Sequence, residues 1–183
     1  GLYVSFNKGI SWEAFSKNIP NVAVHDLVIQ PTAKHLIVGT HGRSLYKADI
    51  AQLQILTDEL SQKNFHVFEI TNIRKTKNWG RSWSQWRDAN TPEVKIPFFT
   101  SSKRKVTIHI YSGSIKVNSI SVTADRGFNE AMYDVSFSIK GKEAYEKANK
   151  KAGLEKAKND VYYLPKGKYT VKLESATGRF EIH

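Results

Sequence analysis

The chain of 183 residues has no cysteine. That excludes disulfides and a cysteine nucleophile, and it leaves the redox compartment undetermined. No stretch approaches the roughly 20 consecutive apolar residues of a membrane-spanning helix. The sequence also lacks Gly-x-Ser-x-Gly, His-Glu-x-x-His and a glycine-rich phosphate loop. Its 17 acidic residues offer many carboxylates, but none sits in a recognisable glycosidase setting of two facing acids. His35, His66, His109 and His183 have no metal-ligand spacing to a carboxylate or to one another, so neither a metal nor a cofactor is implied. No signal peptide opens the chain; it begins with strand-like residues and reads as a piece of a longer protein.

What the sequence does contain is a packed, basic composition. Hydrophobic residues make up 40% and aromatic residues 11%, as in a globular protein of one large or two small domains. Net charge is +11. Much of the excess lies between Lys142 and Lys158, where lysines alternate with Glu143, Glu146 and Glu155. A nucleic-acid surface needs basic residues gathered beside stacking aromatics or a reading element. The alternation of sign predicts a solvated helix face instead, with no nucleic-acid partner.

Residues 2–6 and 12–15 alternate as strands around the turn Asn7-Lys8-Gly9, where Gly9 tolerates positive φ. Trp12 is expected to be buried beneath this turn. Strands follow at 25–30, 36–40 and 44–48, separated by Pro31 and by His41-Gly42-Arg43. Leu53, Leu56 and Leu60 predict a helix within residues 49–64, and residues 65–70 read as a further strand. The octet Ser5-x-Asn7-x-Gly9-x-Ser11-Trp12 resembles the Asp-box, or BNR repeat, Ser/Thr-x-Asp-x-Gly-x-Thr/Ser-Trp, with Asn7 in place of Asp. That box closes the outer hairpin of blades in sialidase-like and sortilin-like β-propellers. The text VHDLVIQPTAKHLIVGTHGRSLYKADI is similar to the closing blade of such propellers, where a His-Asp-Leu strand precedes a Gly-Thr-His-Gly-Arg turn. The resemblance gives Ser5, Asn7, Gly9 and Trp12 a structural role.

Residues 71–100 read as an irregular linker with Pro92, Pro97 and Gly80, and they hold Trp79, Trp83 and Trp86. Short alternating strands resume at 105–111 and 116–123, and again at 127–137, 164–173 and 179–182, which suggests a sandwich. Gly127-x-Asn129 before Tyr133-Asp134 and Leu164-Pro165-x-Gly167-x-Tyr169-Thr170-Val171 resemble the immunoglobulin-like or fibronectin-like domain that follows the propeller in secreted Asp-box proteins. A helix inserted at about 142–160 is expected to turn Ala144, Ala148 and Ala152 toward the core.

The expected fold is thus all-β with one or two short helices. Partial β-propeller blades occupy residues 1–70, a Trp-rich linker 71–100, and an immunoglobulin-like β-sandwich 101–183. Two polar or aromatic groups could bind a ligand. His25, Asp26, His41 and Arg43 meet at one end of the blade, either as an anion or sugar site or as a set that ties the turns together. Trp79, Arg81, Trp83 and Trp86, with Arg87, form either a sugar-stacking platform or a hydrophobic plug at the domain junction. The irregular backbone favours the plug, so at least two of the three tryptophans are expected to be mostly buried. The resemblance implies a C-terminal structural and ligand-binding module of a secreted or periplasmic protein of the glycosyl hydrolase type. Its partners would be a glycan or peptide and the rest of the parent propeller, with self-association through exposed blade edges. The alternatives are part of a catalytic glycosidase propeller or a sortilin-like interaction module. The segment itself is expected to be non-catalytic.

Overall fold

A computed structural model of the chain describes residues 1–5, 8–15, 19–54, 63–84, 86–150 and 153–183. Strands dominate, and each sheet is antiparallel, so the class is all-β. The chain divides into two compact units, residues 1–63 and 64–183. The boundary falls earlier than the expected one at residue 70. The reason is pairing: residues 65–67 join the second unit's sheet rather than closing a blade.

In the first unit, β1 (Tyr3–Val4) pairs with β2 (Glu13–Ala14), and β3 (Val24–Gln30), β4 (His35–Thr40) and β5 (Leu45–Asp49) form a three-stranded meander in chain order. Helix α1 (Ala51–Gln54) begins as soon as β5 ends. The Asp49 carboxylate accepts the Ala51 N–H at 2.9 Å, satisfying one of the open donors of that first turn. The rest of the helix expected within 49–64 lies mostly outside the described residues. Val38, on the central strand, is 1% exposed. On β3, by contrast, the successive residues Leu27, Val28 and Ile29 are 48%, 54% and 54% exposed. Successive strand residues point to opposite faces, so this sheet shows apolar surface on both sides.

The second unit pairs two sheets. One has the order β10–β7–β6 and the other β12–β11–β8–β9. The strands are β6 (Phe65–Val67), β7 (Val94–Thr100), β8 (Arg104–Ser112), β9 (Ile115–Ala124), β10 (Gly127–Tyr133), β11 (Gly167–Leu173) and β12 (Ala176–Ile182). The core draws on both sheets at alternate positions: Val94, Ile96 and Phe98; Val106, Ile108 and Ile110; Tyr169, Val171 and Leu173. This period of two is the signature of a sheet with one buried face.

Strand β7 falls inside the stretch that the sequence assigns to a linker. Pro97 hides it, because proline ordinarily removes a ladder hydrogen bond. Here the Pro97 carbonyl accepts the Phe68 N–H at 3.0 Å. Both backbone groups of one antiparallel residue face the same neighbour, so the missing N–H faces the β6 side. Regular pairing there ends at Val67–Phe98, and no bond to β10 is lost.

The inserted helix, α2 (Ile139–Ala148), starts earlier and ends sooner than the expected 142–160. Ser138 caps it by accepting the Gly141 N–H at 3.0 Å, and Asn149 closes it with an N–H to the Tyr145 carbonyl at 2.9 Å. Residues 151–152, and with them Ala152, lie outside the described residues; residues 153–160 are not helical. Ala144 and Ala148 are exposed, contrary to expectation. The buried face is made by Gly141 and by Tyr145, whose ring lies 5.2 Å from Phe137. A Cβ on Gly141 would collide with the Val117 carbonyl. Glycine therefore lets the helix lie directly on edge strand β9, covering a strand edge that would otherwise invite pairing.

Candidate functional site

Within the octet Ser5 to Trp12, Lys8 and Gly9 lie in a turn. Lys8 and Gly9 both have positive φ, 57° and 88°, the left-handed backbone that tight turns use. The Ser5 hydroxyl accepts the Gly9 N–H at 2.7 Å, so the serine of the pattern ties the loop. Asn7 lies outside the described residues. Trp12 rests against the glycine, with one ring carbon 3.7 Å from where a Gly9 Cβ would stand. Yet it is 62% exposed, which corrects the expectation of burial. A two-stranded ribbon has no second layer of its own with which to cover an indole.

At the end of β3 and β4, two of the four expected side chains, His25 and His41, come together. The pairing slips between Val24 and Asp26, leaving His25 as the extra residue of a bulge. Bulges re-aim side chains, and here the His25 ring stacks on His41, with centroids 4.9 Å apart and planes 26° from parallel. The His41 N–H donates to the Ala23 carbonyl at 3.0 Å. Asp26 accepts the Leu27 N–H at 2.8 Å, so its carboxylate serves its own strand. Gly42 turns the chain at φ 69°, Thr40 holds the Ser44 carbonyl at 2.7 Å, and Arg43 is exposed between them. The result is an open, stacked pair of imidazoles at the end of the meander, with Arg43 exposed in the adjoining turn. Among the described residues, no group of three metal-ligating side chains forms.

The third group is the tryptophan segment. Trp79 is partly buried against the second unit's core, edge-on to Tyr163 at 5.9 Å. The Lys75 ammonium lies 5.9 Å from the Trp79 ring centroid and donates to the Leu164 carbonyl at 3.3 Å. Burial lowers the pKa of Lys75, with Glu155 opposing that shift. Trp83 and Trp86 are 89% and 86% exposed. The expectation that at least two of the three are buried is therefore overturned. Only Trp79 reaches the core; the chain beyond it loops outward and returns. Gly80 N–H donates to the Asn90 carbonyl at 2.8 Å, and Asn90 N–H donates to the Arg81 carbonyl at 2.9 Å. These two bonds form a neck that the sequence reading missed, although Gly80 and Asn90 at the loop ends are the residues that permit it. Arg81 and Arg87 are exposed on the loop, and the Arg87 guanidinium stands 5.9 Å from the Trp83 ring centroid.

Two tyrosines brace turns of the second unit. Tyr133 donates to the Ser136 carbonyl, and Tyr169 donates to the Pro165 carbonyl at 2.7 Å. Burial raises both phenols well above their ordinary value. Asn129, 6% exposed, accepts the Asp125 N–H at 3.0 Å and donates to the carbonyls of Asp125 and Gly127 at 2.7 and 3.1 Å.

Comparison of the chain with descriptions of known protein families, with curated proteins and with solved structures returns no match. The fold defines an all-β protein of antiparallel sheets in two compact units. Among the described residues, no helix is long and apolar enough to cross a membrane.

Proposed function

We propose that the chain is the C-terminal structural and ligand-binding part of a secreted or periplasmic Asp-box propeller protein. In this reading, residues 1–63 supply blade strands and residues 64–183 an immunoglobulin-like accessory domain. The observation that carries it is the two-faced apolar surface of the β3–β4–β5 meander. A sheet with Leu27, Val28 and Ile29 open in succession is suited to lie between two other sheets, as a propeller blade does. The tied turn at Ser5 and Gly9 agrees with the box. For the second unit, sheets of three and four strands in the order β10–β7–β6 and β12–β11–β8–β9 fit a seven-stranded Greek-key sandwich. Tyr169, bonded four residues back to Pro165 near the start of β11, fits the tyrosine corner of that class. The parent's chemistry, as a glycosyl hydrolase or otherwise, and its export come from the resemblance alone.

The test is the behaviour of uncovered blade surface. The 183-residue chain should self-associate or bind an apolar dye. Val28→Lys with Ile29→Lys should abolish both, while the melting of the second unit stays unchanged. Sedimentation as a dye-silent monomer would overturn the blade assignment.

A further inference from the structure

The loop between Gly80 and Asn90 has the architecture of a presented binding site. It is rooted at one end: Trp79 packs on the core, and Gly80, at φ 72°, sits where a Cβ would strike Asn159 and Ala157. Its neck is closed by the two backbone bonds between Gly80, Arg81 and Asn90. Inside it, the Ser82 hydroxyl shares its proton between the carbonyls of Ser84 and Arg87, and the Arg87 N–H donates to the Ser84 carbonyl at 3.2 Å. This crosslinked frame displays Trp83 and Trp86 almost fully to solvent. Two exposed indoles three residues apart on a held loop are available as anchors for a partner. Tryptophan also loses little entropy on contact, having two side-chain torsions.

The charge around the rings selects the partner. Residues 71–90 carry Arg74, Lys75, Lys77, Arg81 and Arg87 against the single acid Asp88. Four of these five basic side chains are exposed, Lys75 being the half-buried one. Guanidinium groups pair with carboxylate or sulfate in bidentate fashion, and indole faces stack on the apolar faces of pyranose rings. A lipid surface fits less well. Inserting the tip would carry Arg87 and Asp88 toward hydrocarbon, which is unfavourable for both charges. Lying along a hydrated polymer leaves those charges in water.

We propose that the 80–90 loop binds an anionic polysaccharide. Trp83 and Trp86 stack on its sugar rings, and Arg81 and Arg87 pair with its carboxylates or sulfates. This deepens the ligand-binding half of the reading above. It is independent of the blade half, whose test concerns residues 28 and 29.

Binding is measured by tryptophan fluorescence and calorimetry with four probes: polygalacturonate (carboxylates), dextran sulfate (sulfates), dextran (uncharged) and polyglutamate (charge without sugar). Polygalacturonate or dextran sulfate should bind at least tenfold more tightly than dextran and polyglutamate, and the tighter of the two identifies the anionic group. Trp83→Ala with Trp86→Ala should weaken that binding at least tenfold with an unchanged melting temperature, since both rings are exposed. Arg87→Gln should bring the acidic polymer toward the affinity of dextran. Failure of both acidic polysaccharides to bind would overturn the proposal. So would equal binding of dextran or polyglutamate, or affinity that survives loss of both tryptophans. Binding instead to phosphatidylglycerol vesicles, lost in the double tryptophan variant, would replace it with a membrane role.

Discussion

Burial separates residues that look alike in the sequence. Trp12 and Trp79 are both aromatic residues beside a glycine turn, yet Trp12 is 62% exposed and Trp79 packs on a core. Trp12→Ala should therefore cost no more than about 1 kcal/mol, not the ~3–5 kcal/mol of a buried tryptophan. Chemical denaturation that registers a larger loss would show that the ring is covered in solution. Gly141 is the opposite case. Alanine favours helices by roughly 1 kcal/mol over glycine, but here a Cβ meets the Val117 carbonyl. Overpacking of this kind costs about 1–3 kcal/mol. Gly141→Ala should lower the melting temperature despite the better helix former.

At the scale of the element, three side chains fix turns of the second unit through short hydrogen bonds. Asn129 ties the β9–β10 turn through both faces of its amide. Asn129→Ala leaves the Asp125 N–H and two carbonyls without this partner, and should destabilise the unit by about 1–3 kcal/mol in urea titration. Tyr133 and Tyr169 act on β10 and β11, and burial raises both phenols. The sign follows from linkage. Above the ordinary tyrosine value of about 10, the unfolded chain loses the proton while the folded chain keeps it. Their stabilisation is thus complete below about pH 10 and lost as pH climbs toward the folded values. The slope is small near pH 9 and rises toward a limit of about 1.4 kcal/mol per pH unit for each tyrosine above pH 11. Unfolding curves at pH 9, 10 and 11 should show this fall, and Tyr169→Phe should make it shallower. An equal fall in that variant would remove Tyr169 from the account.

For the whole molecule, the large core cluster lies entirely within residues 64–183. A protein reduced to those residues should fold cooperatively and melt at the same temperature as the second transition of the full chain, as calorimetry can show. Loss of cooperativity on that truncation would mean that residues 1–63 contribute to the sandwich. The first unit has a thinner interior, with Leu2, Val38 and Ile50 as its buried apolar residues among those described. It should lose its amide protection in hydrogen exchange well before the second.

The sequence by itself determined what local chemistry dictates. Gly9 and Gly42 marked turns that need positive φ, and alternation of apolar residues placed β3 to β5 and β8 to β12. The stacked end of the meander was half legible: His25 and His41 were named together, but the bulge that stacks them depends on a pairing slip. Only the tertiary structure decided the rest, because those features depend on partners distant in sequence. Phe65–Val67 reads as a blade strand until its pairing with Val94–Thr100 is seen, and Pro97 masks the latter until its empty N–H side is found beyond the end of β6. Ala144 looks inward by helical period, but Gly141 sets the angle at which the helix meets β9. Trp83 and Trp86 carry the composition of a plug. Whether an indole is a plug or a platform is set by what stands opposite it, and the Gly80–Asn90 neck turns these two away from the core.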